Sequence, residues 1–156
     1  MEKLHAQGMS AIVETASPEE TEALGERIGR QLRSGDVVAL IGELGSGKTC
    51  LTRGIARGAG SAARVRSPTF ILMREYPLEG KPFPMRHLDL YRLAGADDLL
   101  DIGGGEVLGA EGVAVVEWAD RAEELLPKNA VRVQLEIVGR NRRRAHIESP
   151  ERPLRL

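Results

Sequence analysis

The segment VVALIGELGSGKT, residues 37–49, gives the clearest indication of the fold. Its first five residues form an apolar, β-branched run that is typical of a strand covered on both faces of a parallel sheet. Residues 42–49 match the pattern G-x-x-x-x-G-K-[ST], and the apolar spacing that follows predicts a helix from Lys48 to about Arg57. A strand, a glycine-rich loop and a helix in this order predict an α/β fold with a phosphate-binding loop.

The residue types of this loop indicate its chemistry. Glycines let successive backbone N–H groups curl around an anion, and the helix N-terminus adds a partial positive charge. Lys48 would then reach the β- and γ-phosphates of a nucleotide, and the Thr49 hydroxyl would help to hold Mg²⁺. Cys50 is interpreted as a packing residue of the helix that needs no redox role. The predicted nucleotide-binding residues of this segment are Gly42, Glu43, Leu44, Gly45, Ser46, Gly47, Lys48, Thr49 and Cys50.

Two acidic residues are candidates for the metal side of such a site. Glu117 follows an apolar run, whereas Asp89 lies in a more polar segment. Because a phosphate-loop protein holds Mg²⁺ with an acid at the end of a neighbouring strand, we favour Glu117 as the metal ligand beside Thr49. Asp89 is then either a carboxylate that positions water or one that supports the metal ligands without touching the ion. Both acids join Lys48 as candidate catalytic residues. The alternative for either acid is a solvated carboxylate or a helix cap.

Weaker signals come from two further segments. Ser67, Pro68 and Thr69 follow the loop by about 20 residues, where switch segments of nucleotide hydrolases often return to the γ-phosphate. The alternative is a turn that enters a strand. The basic cluster over 140–144 is either a solvated hairpin tip, a contact to the nucleotide, or a docking site for an acidic or RNA partner. Trp118 is interpreted as a core or interface residue.

Composition limits the class of protein. A chain of 156 residues with 42% apolar and 29% charged residues fits one globular domain over 1–156. A net charge of −1 and 3% aromatic residues give no general attraction to nucleic acid and few rings for stacking bases. One cysteine and three scattered histidines provide no disulfide and no zinc-site pattern. With no apolar run near the roughly 18 residues of a membrane span, we expect a cytoplasmic protein without a membrane partner.

The rest of the chain alternates helices and strands. The predicted elements are a helix over 18–33, extended segments over 69–76 and 83–90 that form an antiparallel hairpin at a sheet edge, a weak helix over 95–102, a flexible glycine stop over 103–105, a strand over 113–116, a helix over 118–126, and strands over 131–138 and 145–148. Together they predict three layers around a mostly parallel, mixed central sheet with an antiparallel edge.

Four motifs in a fixed order resemble one family. They are GELGSGKT at 42–49, SPTF at 67–70, HLDLYRL at 87–93 and VEWAD at 116–120. Over about residues 17–147 the chain resembles the bacterial TsaE family, also called YjeE, the ATPase component of tRNA threonylcarbamoyladenosine synthesis. The resemblance implies a small P-loop NTPase fold with a mixed sheet, ATP and Mg²⁺ as ligands, and a complex with TsaB and TsaD, which carry out the carbamoyl transfer.

The resemblance also assigns roles to residues of this chain. It implies that Ser17 and Arg143 border the adenine and that Ser67, Pro68 and Thr69 form a switch-like segment. It places the family's strand-end aspartate at Asp89 and its Glu-Trp pair at Glu117 and Trp118.

We therefore expect a weakly hydrolysing ATPase that acts with TsaD and TsaB-like proteins and meets tRNA only indirectly, through that complex. Water would attack the γ-phosphate, and since no arginine finger can be identified in the sequence, partners are expected to raise the turnover. One alternative is a small-molecule kinase, which would need an acceptor pocket and usually an arginine-rich lid. The other is a nucleotide-gated interaction module that does not hydrolyse its ligand.

Overall fold

Residues 8–68, 72–101 and 103–156, which the computed structural model describes, form one seven-stranded sheet with helices on both faces. The strands are β1 (Met9–Thr15), β2 (Val37–Gly42), β3 (Met73–Tyr76), β4 (Met85–Asp89), β5 (Val113–Glu117), β6 (Val131–Ile137) and β7 (Arg143–Ser149). The helices are α1 (Pro18–Gly29), α2 (Lys48–Ala59), α3 (Ala96–Asp101), α4 (Gly104–Val107) and a 3₁₀ helix over Ala119–Leu125. Within these described ranges, no helix has both the length and the apolar character needed to cross a lipid bilayer.

The sheet has a parallel centre with antiparallel strands on both sides. Its spatial order is β1-β7-β6-β2-β5-β4-β3, and the strands from β6 to β4 pair in parallel. β7 and β1 extend one side of this centre by antiparallel pairing, and β3 extends the other. The structure thus confirms the predicted α/β fold with a mostly parallel, mixed sheet and the predicted hairpin of β3 and β4 at an edge. The sequence analysis does not predict β1.

Side chains of the central strands alternate between two cores. Val38 and Leu40 of β2 pack with α1 and α2 on one face. Val37 and Ala39 pack with α3 and the 3₁₀ helix on the other face. Every residue of β5 is buried, as expected for an apolar strand that is covered on both sides. The carboxyl ends of β2, β4 and β5 therefore meet at one edge of the sheet between the two helical layers.

The first helix begins as predicted and ends early. Ser17 Oγ accepts a hydrogen bond from the Glu20 N–H (3.1 Å), and Glu20 Oε1 accepts one from the Ala16 N–H (2.8 Å). These bonds satisfy N–H groups that the start of a helix otherwise leaves unpaired. α1 ends at Gly29, so the prediction of helix over 18–33 is wrong for the last four residues. Tight turns replace the helical hydrogen bonds there.

One prediction for the region after β4 is wrong, and another is confirmed with a different type of helix. The glycine run 103–105 is not a flexible stop, because Gly103, with a φ of +79°, caps the start of α4. A Cβ on Gly104 would lie 2.1 Å from Leu99 Cδ1, so glycine at this position lets α4 approach α3. The helix predicted over 118–126 is present over Ala119–Leu125 as a 3₁₀ helix, in which Ala122 has non-helical φ and ψ.

Some predicted ranges fall partly outside the described residues. The weak helix over 95–102 corresponds to α3, and residue 102 lies outside the described part of the chain. Of the extended segment 69–76, residues 69–71 lie outside it and residues 73–76 form β3. The strands predicted over 131–138 and 145–148 are present as β6 and β7, which pair with each other.

Four glycines bring α1 and α2 into backbone contact. They lie four residues apart on each helix, at Gly25 and Gly29 and at Gly54 and Gly58. A Cβ on Gly54 would lie 2.0 Å from the Glu22 carbonyl oxygen, and a Cβ on any of the other three would meet a backbone oxygen at 2.1–2.3 Å. The close approach of the two helices therefore requires glycine at these positions. This contact fixes α2, and with it the loop that precedes α2, against α1.

We expect the substitution Gly54→Ala to lower the free energy of unfolding by about 2 kcal/mol, measured by urea denaturation. In an isolated helix alanine would add about 1 kcal/mol of stability, so the loss reports the clash with α1. Gly95→Ala is the matched control, because a Cβ on Gly95 meets no heavy atom within 4 Å. A Gly54→Ala protein as stable as the wild type would show that the helices are not held this closely.

Candidate functional site

The glycine-rich loop, residues 42–49, joins the carboxyl end of β2 to the first turn of α2. Gly47 has a φ of +105° and is the N-cap residue of α2. Any residue with a Cβ would be strained in this conformation, so the second glycine of the pattern is required by the backbone itself. A glycine cap offers no side-chain acceptor, which leaves the first amides of α2 and their partial positive charge facing the space above the loop.

Lys48 folds back over this loop. Its Nζ donates hydrogen bonds to the carbonyl oxygens of Gly42 (2.6 Å) and Glu43 (2.9 Å) and lies 3.4 Å from Ser46 Oγ. The same ammonium lies 4.0 Å from the centroid of the Trp118 ring, an attractive cation–π distance. Burial lowers the pKa of Lys48, and the nearby carboxylates of the site oppose that shift. The ammonium is thus positioned by backbone carbonyls and an aromatic face.

Glu117 is a buried acid at the carboxyl end of β5. Its register partner on β2 is Leu40, two residues before the glycine-rich loop. This register brings the carboxylate to the first turn of α2, where Thr49 Oγ1 donates to Glu117 Oε1 over 3.0 Å. His87 Nε2 lies 2.6 Å from Glu117 Oε2 on the other side. The structure thus brings together Thr49 and Glu117, the two predicted metal-binding residues.

Asp89 ends β4 and is the register partner of Glu117. It accepts a hydrogen bond from Ser67 Oγ (3.0 Å) through Oδ2 and one from the Tyr91 N–H (3.0 Å) through Oδ1. The predicted switch residue Ser67 is therefore in contact with a predicted catalytic acid. Pro68, next to it, is buried, and Thr69 lies outside the described residues.

Two neighbouring cavities open above these residues. The larger has a volume of about 390 Å³. Its walls include the predicted site residues Leu44, Gly45, Gly47, Lys48, Thr49, Cys50, Ser67, Asp89 and Glu117, together with Tyr91 and Trp118. The smaller, of about 170 Å³, lies between Pro18, Thr21 and Arg143, and it shares Gly45, Gly47 and Cys50 with the larger. The loop and the start of α2 therefore form the boundary between the two.

Arg143, at the start of β7, holds the tip of the glycine-rich loop. Its Nη2 donates to the Gly45 carbonyl oxygen (3.0 Å), and its Nε donates to that of Ser46 (3.1 Å). Within the basic cluster 140–144, Arg144 instead pairs with acids of the neighbouring strands. The arginines of the cluster therefore have different roles. Arg143 supports the loop and borders the smaller cavity, whereas Arg144 forms ion pairs with acids.

Ser17 and Cys50 lie beside the cavities in different ways. The Ser17 hydroxyl serves as the cap of α1, and its neighbour Pro18 lines the smaller cavity. The Cys50 thiol donates to the Pro18 carbonyl oxygen (3.1 Å), so it bridges α2 and α1 as the packing interpretation expects. Burial raises the pKa of this thiol, which favours its protonated form.

His87, which contacts Glu117, and Tyr91 are parts of the site that the sequence does not predict. Trp118, interpreted from the residues as a core or interface residue and paired with Glu117 by the resemblance, lines the larger cavity. His87 lies two residues before Asp89 on β4, so strand alternation puts the two side chains on the same face of the sheet. This period-two relation is the signal that could have found it. Tyr91 and Trp118 form a tilted ring pair with centroids 4.9 Å apart at the wall of the larger cavity.

Comparisons with known proteins agree on one family. A family model described as Threonylcarbamoyl adenosine biosynthesis protein TsaE matches residues 15–145. A protein of Treponema pallidum (strain Nichols) named tRNA threonylcarbamoyladenosine biosynthesis protein TsaE is 39% identical over 123 residues, which are 79% of this chain and 89% of that protein. A protein of the same name from Bacillus subtilis (strain 168) is 38% identical over 129 residues, 83% of this chain and 79% of the relative.

A solved structure is similar as well. The crystal structure of Bacillus subtilis YdiB superimposes with a TM-score of 0.73 and 31% sequence identity, over 92% of this chain and 88% of that one. At this level of similarity the two chains share one fold.

The role of Arg143 can be tested without any ligand. We expect Arg143→Gln to speed hydrogen exchange of the amides in the loop about tenfold, because charge-assisted bonds to two carbonyl groups are lost. Exchange measured by mass spectrometry on the peptide that covers residues 42–49 reports this. Arg144→Gln is the matched control, since Arg144 pairs with acids and not with the loop. Equal exchange in the two variants would contradict the assigned role.

Proposed function

This chain belongs to the TsaE family of tRNA threonylcarbamoyladenosine biosynthesis proteins, and from that premise we propose that it is a Mg²⁺-dependent ATPase of the same pathway. The observation that carries the proposal is the contact of Thr49 with the buried carboxylate of Glu117, over 3.0 Å, beside the ammonium of Lys48. A glycine-rich loop, a lysine and a hydroxyl–carboxylate pair are the parts that phosphoryl-transfer sites of this fold use. The resemblance drawn from the four sequence motifs is confirmed at the level of the family.

The phosphates of ATP are proposed to lie in the larger cavity. The free amides at the start of α2 provide hydrogen-bond donors and partial positive charge for an anion there. Lys48 would exchange its present carbonyl contacts for phosphate oxygens. The smaller cavity, bordered by Pro18 and Arg143, is the proposed place of the nucleoside, in line with the family's implied adenine contacts.

Thr49 and Glu117 fit a magnesium ion by the chemistry of their donor atoms. Both provide oxygen, which Mg²⁺ prefers, and the two groups already lie within hydrogen-bond distance of each other. Among the described residues, no group of three or more His, Cys, Asp or Glu side chains could hold a metal without other ligands. The remaining positions would thus fall to phosphate oxygens and water, as is usual for Mg²⁺ at a nucleotide. When bound, the ion supplies charge neutralisation on the β- and γ-phosphate oxygens.

Hydrolysis is proposed to proceed by in-line attack of water on the γ-phosphate. Lys48 and the loop amides stabilise the negative charge that shifts among the phosphoryl oxygens as the bond to the leaving group breaks. Asp89 lines the same cavity as Lys48, and we propose that this carboxylate helps to orient the water. Thr69, the alternative for this role, lies outside the described residues. The described walls of the larger cavity contain no arginine. We therefore infer slow turnover by the chain alone.

The family supports a protein partner for this activity. We propose that TsaD and TsaB-like proteins bind the chain, raise its turnover and carry out the chemistry on tRNA, which the chain meets only through that complex. The net charge of −1 gives no general attraction to RNA, in keeping with an indirect role.

Removal of the Lys48 ammonium tests the nucleotide site. We expect Lys48→Ala to weaken ATP binding at least tenfold, measured by calorimetry with Mg²⁺, and to lower turnover about 100-fold. Lys128→Ala, which removes an exposed lysine far from the glycine-rich loop in the sequence, should bind ATP as the wild type does. If the folded wild type takes up no purine nucleotide in the presence of Mg²⁺, the proposal fails. Release of ADP only when a small-molecule acceptor is present would favour a kinase instead.

Addition of the partner proteins tests the place of the chain in the pathway. We expect TsaB and TsaD to raise the ATP turnover at least about tenfold, since partners can supply groups that the site lacks. Glu117→Gln should keep partner binding, measured by pull-down, and lose tRNA modification, because it keeps the shape but not the charge of the carboxylate. Fast turnover that partners leave unchanged would contradict the proposal. Modification that survives in Glu117→Gln would favour a nucleotide-gated module.

A further inference from the structure

His87 is a buried residue that the proposed mechanism does not use. Its side chain on β4 is fully buried, and its Nε2 lies 2.6 Å from Oε2 of Glu117, a carboxylate that is itself buried. Thr49 Oγ1 lies 3.0 Å from the other oxygen, Oε1, and 3.3 Å from Oε2. Thr52 Oγ1 lies 3.5 Å from Oε2 and donates to the Lys48 carbonyl oxygen over 2.8 Å, so its proton is already engaged. His87 is thus the close donor for Oε2 among the described residues.

The surroundings of the imidazole indicate which of its nitrogens carries the proton. Among the described residues, none provides a hydrogen-bond partner for Nδ1 of His87. A proton on Nδ1 would leave a buried N–H group unpaired, which costs more than an unpaired ring acceptor. The neutral ring with its proton on Nε2 satisfies this constraint. In that form Nε2 donates to Oε2 of Glu117.

The two oxygens of Glu117 consequently have different nearest partners. Oε2 is tied to β4 through His87, and Oε1 is the oxygen nearer to the Thr49 hydroxyl at the wall of the larger cavity. The last torsion of a glutamate side chain has only broad preferences of its own, so a fixed partner on one oxygen decides where the other points. Residues that hold a metal ligand in this way commonly change metal affinity when they are replaced.

We propose that His87 is the positioning residue of the site: its Nε2–H holds Glu117 so that Oε1 stays directed at Thr49 and the pair is ready to hold Mg²⁺. This inference rests on the proposed function, because it takes Thr49 and Glu117 as the residues that hold the ion. It assigns to His87 no contact with nucleotide or metal.

Two substitutions of His87 by amide residues distinguish a role in positioning Glu117 from a role in filling space. The side-chain amide nitrogen introduced by His87→Gln can reach the position of Nε2, whereas the shorter side chain introduced by His87→Asn ends near the position of Nδ1. Calorimetry with a non-hydrolysable ATP analogue, once with Mg²⁺ and once with EDTA, gives the gain in affinity that Mg²⁺ causes. His146→Asn, at a half-buried histidine on β7 that lies near Glu136 and not near Glu117, is the matched control.

We expect His87→Asn to reduce the Mg²⁺-dependent gain about 10- to 100-fold while the affinity in EDTA stays within about threefold of wild type. His87→Gln should keep the gain within about threefold, and His146→Asn should not alter it. Thermal unfolding confirms that each variant is folded. If His87→Asn does not fold, His87→Leu, which fills more of the space and cannot donate, replaces it with the same expectation.

Several results would overturn the inference. An unchanged Mg²⁺-dependent gain in His87→Asn would show that Glu117 needs no such donor. An equal loss with Mg²⁺ and with EDTA would show a general structural role, and a loss in His87→Gln as large as in His87→Asn would exclude the hydrogen bond as the cause. A wild type that binds the analogue without any gain from Mg²⁺ would refute the proposed function itself, and this inference with it.

Discussion

The buried carboxylate of Glu117 is the charge on which the arrangement of the site depends. A carboxylate removed from water costs several kcal/mol unless hydrogen bonds and opposite charge offset that cost. Here the donors come from separate elements, with Thr49 on α2 and His87 on β4, while the acid itself ends β5. The parallel register of the central strands and the position of α2 are therefore linked through one side chain. A shift of β4 by one residue would turn His87 away from it.

The glycine-rich loop is held in place from several directions before any ligand binds. Lys48 ties its beginning through carbonyl oxygens, and Arg143 ties its tip from β7. The backbone contact between α1 and α2 fixes the helix into which the loop leads. Since less conformational freedom then remains to be lost, such a loop binds an anion at a lower entropic cost than a free chain would. The hairpin of β6 and β7 thereby supports the site even though it contributes no acid to it.

Sequence reasoning succeeded where the decisive signal is local and failed where it depends on tertiary distance. The order of strand, loop and helix around Lys48, and the acid at the end of the apolar run, follow from adjacent residues. The sequence near each helix does not indicate that glycines allow α1 and α2 to touch. Within a single helix glycine is only destabilising, and its role is evident only once the position of the second helix is known. The sequence does not predict His87 as a hydrogen-bond partner of Glu117, because the scattered histidines form no pattern and this acid lies 30 residues away in the chain.

Trp118 contributes to the surroundings that a ligand of Lys48 would meet. Its backbone is left-handed, with a φ of +57°, a conformation that costs a non-glycine residue about 1 kcal/mol or more. In return the ring covers the Lys48 ammonium, which thus has aromatic and carbonyl partners before a phosphate arrives. The acids that oppose the fall of the Lys48 pKa, Glu117 and Asp89 among them, would repel a phosphate that entered alone. A triphosphate that brought a divalent ion to Glu117, as the proposed function requires, would offset that repulsion. A bare phosphate would have to overcome it in addition to displacing the partners of Lys48.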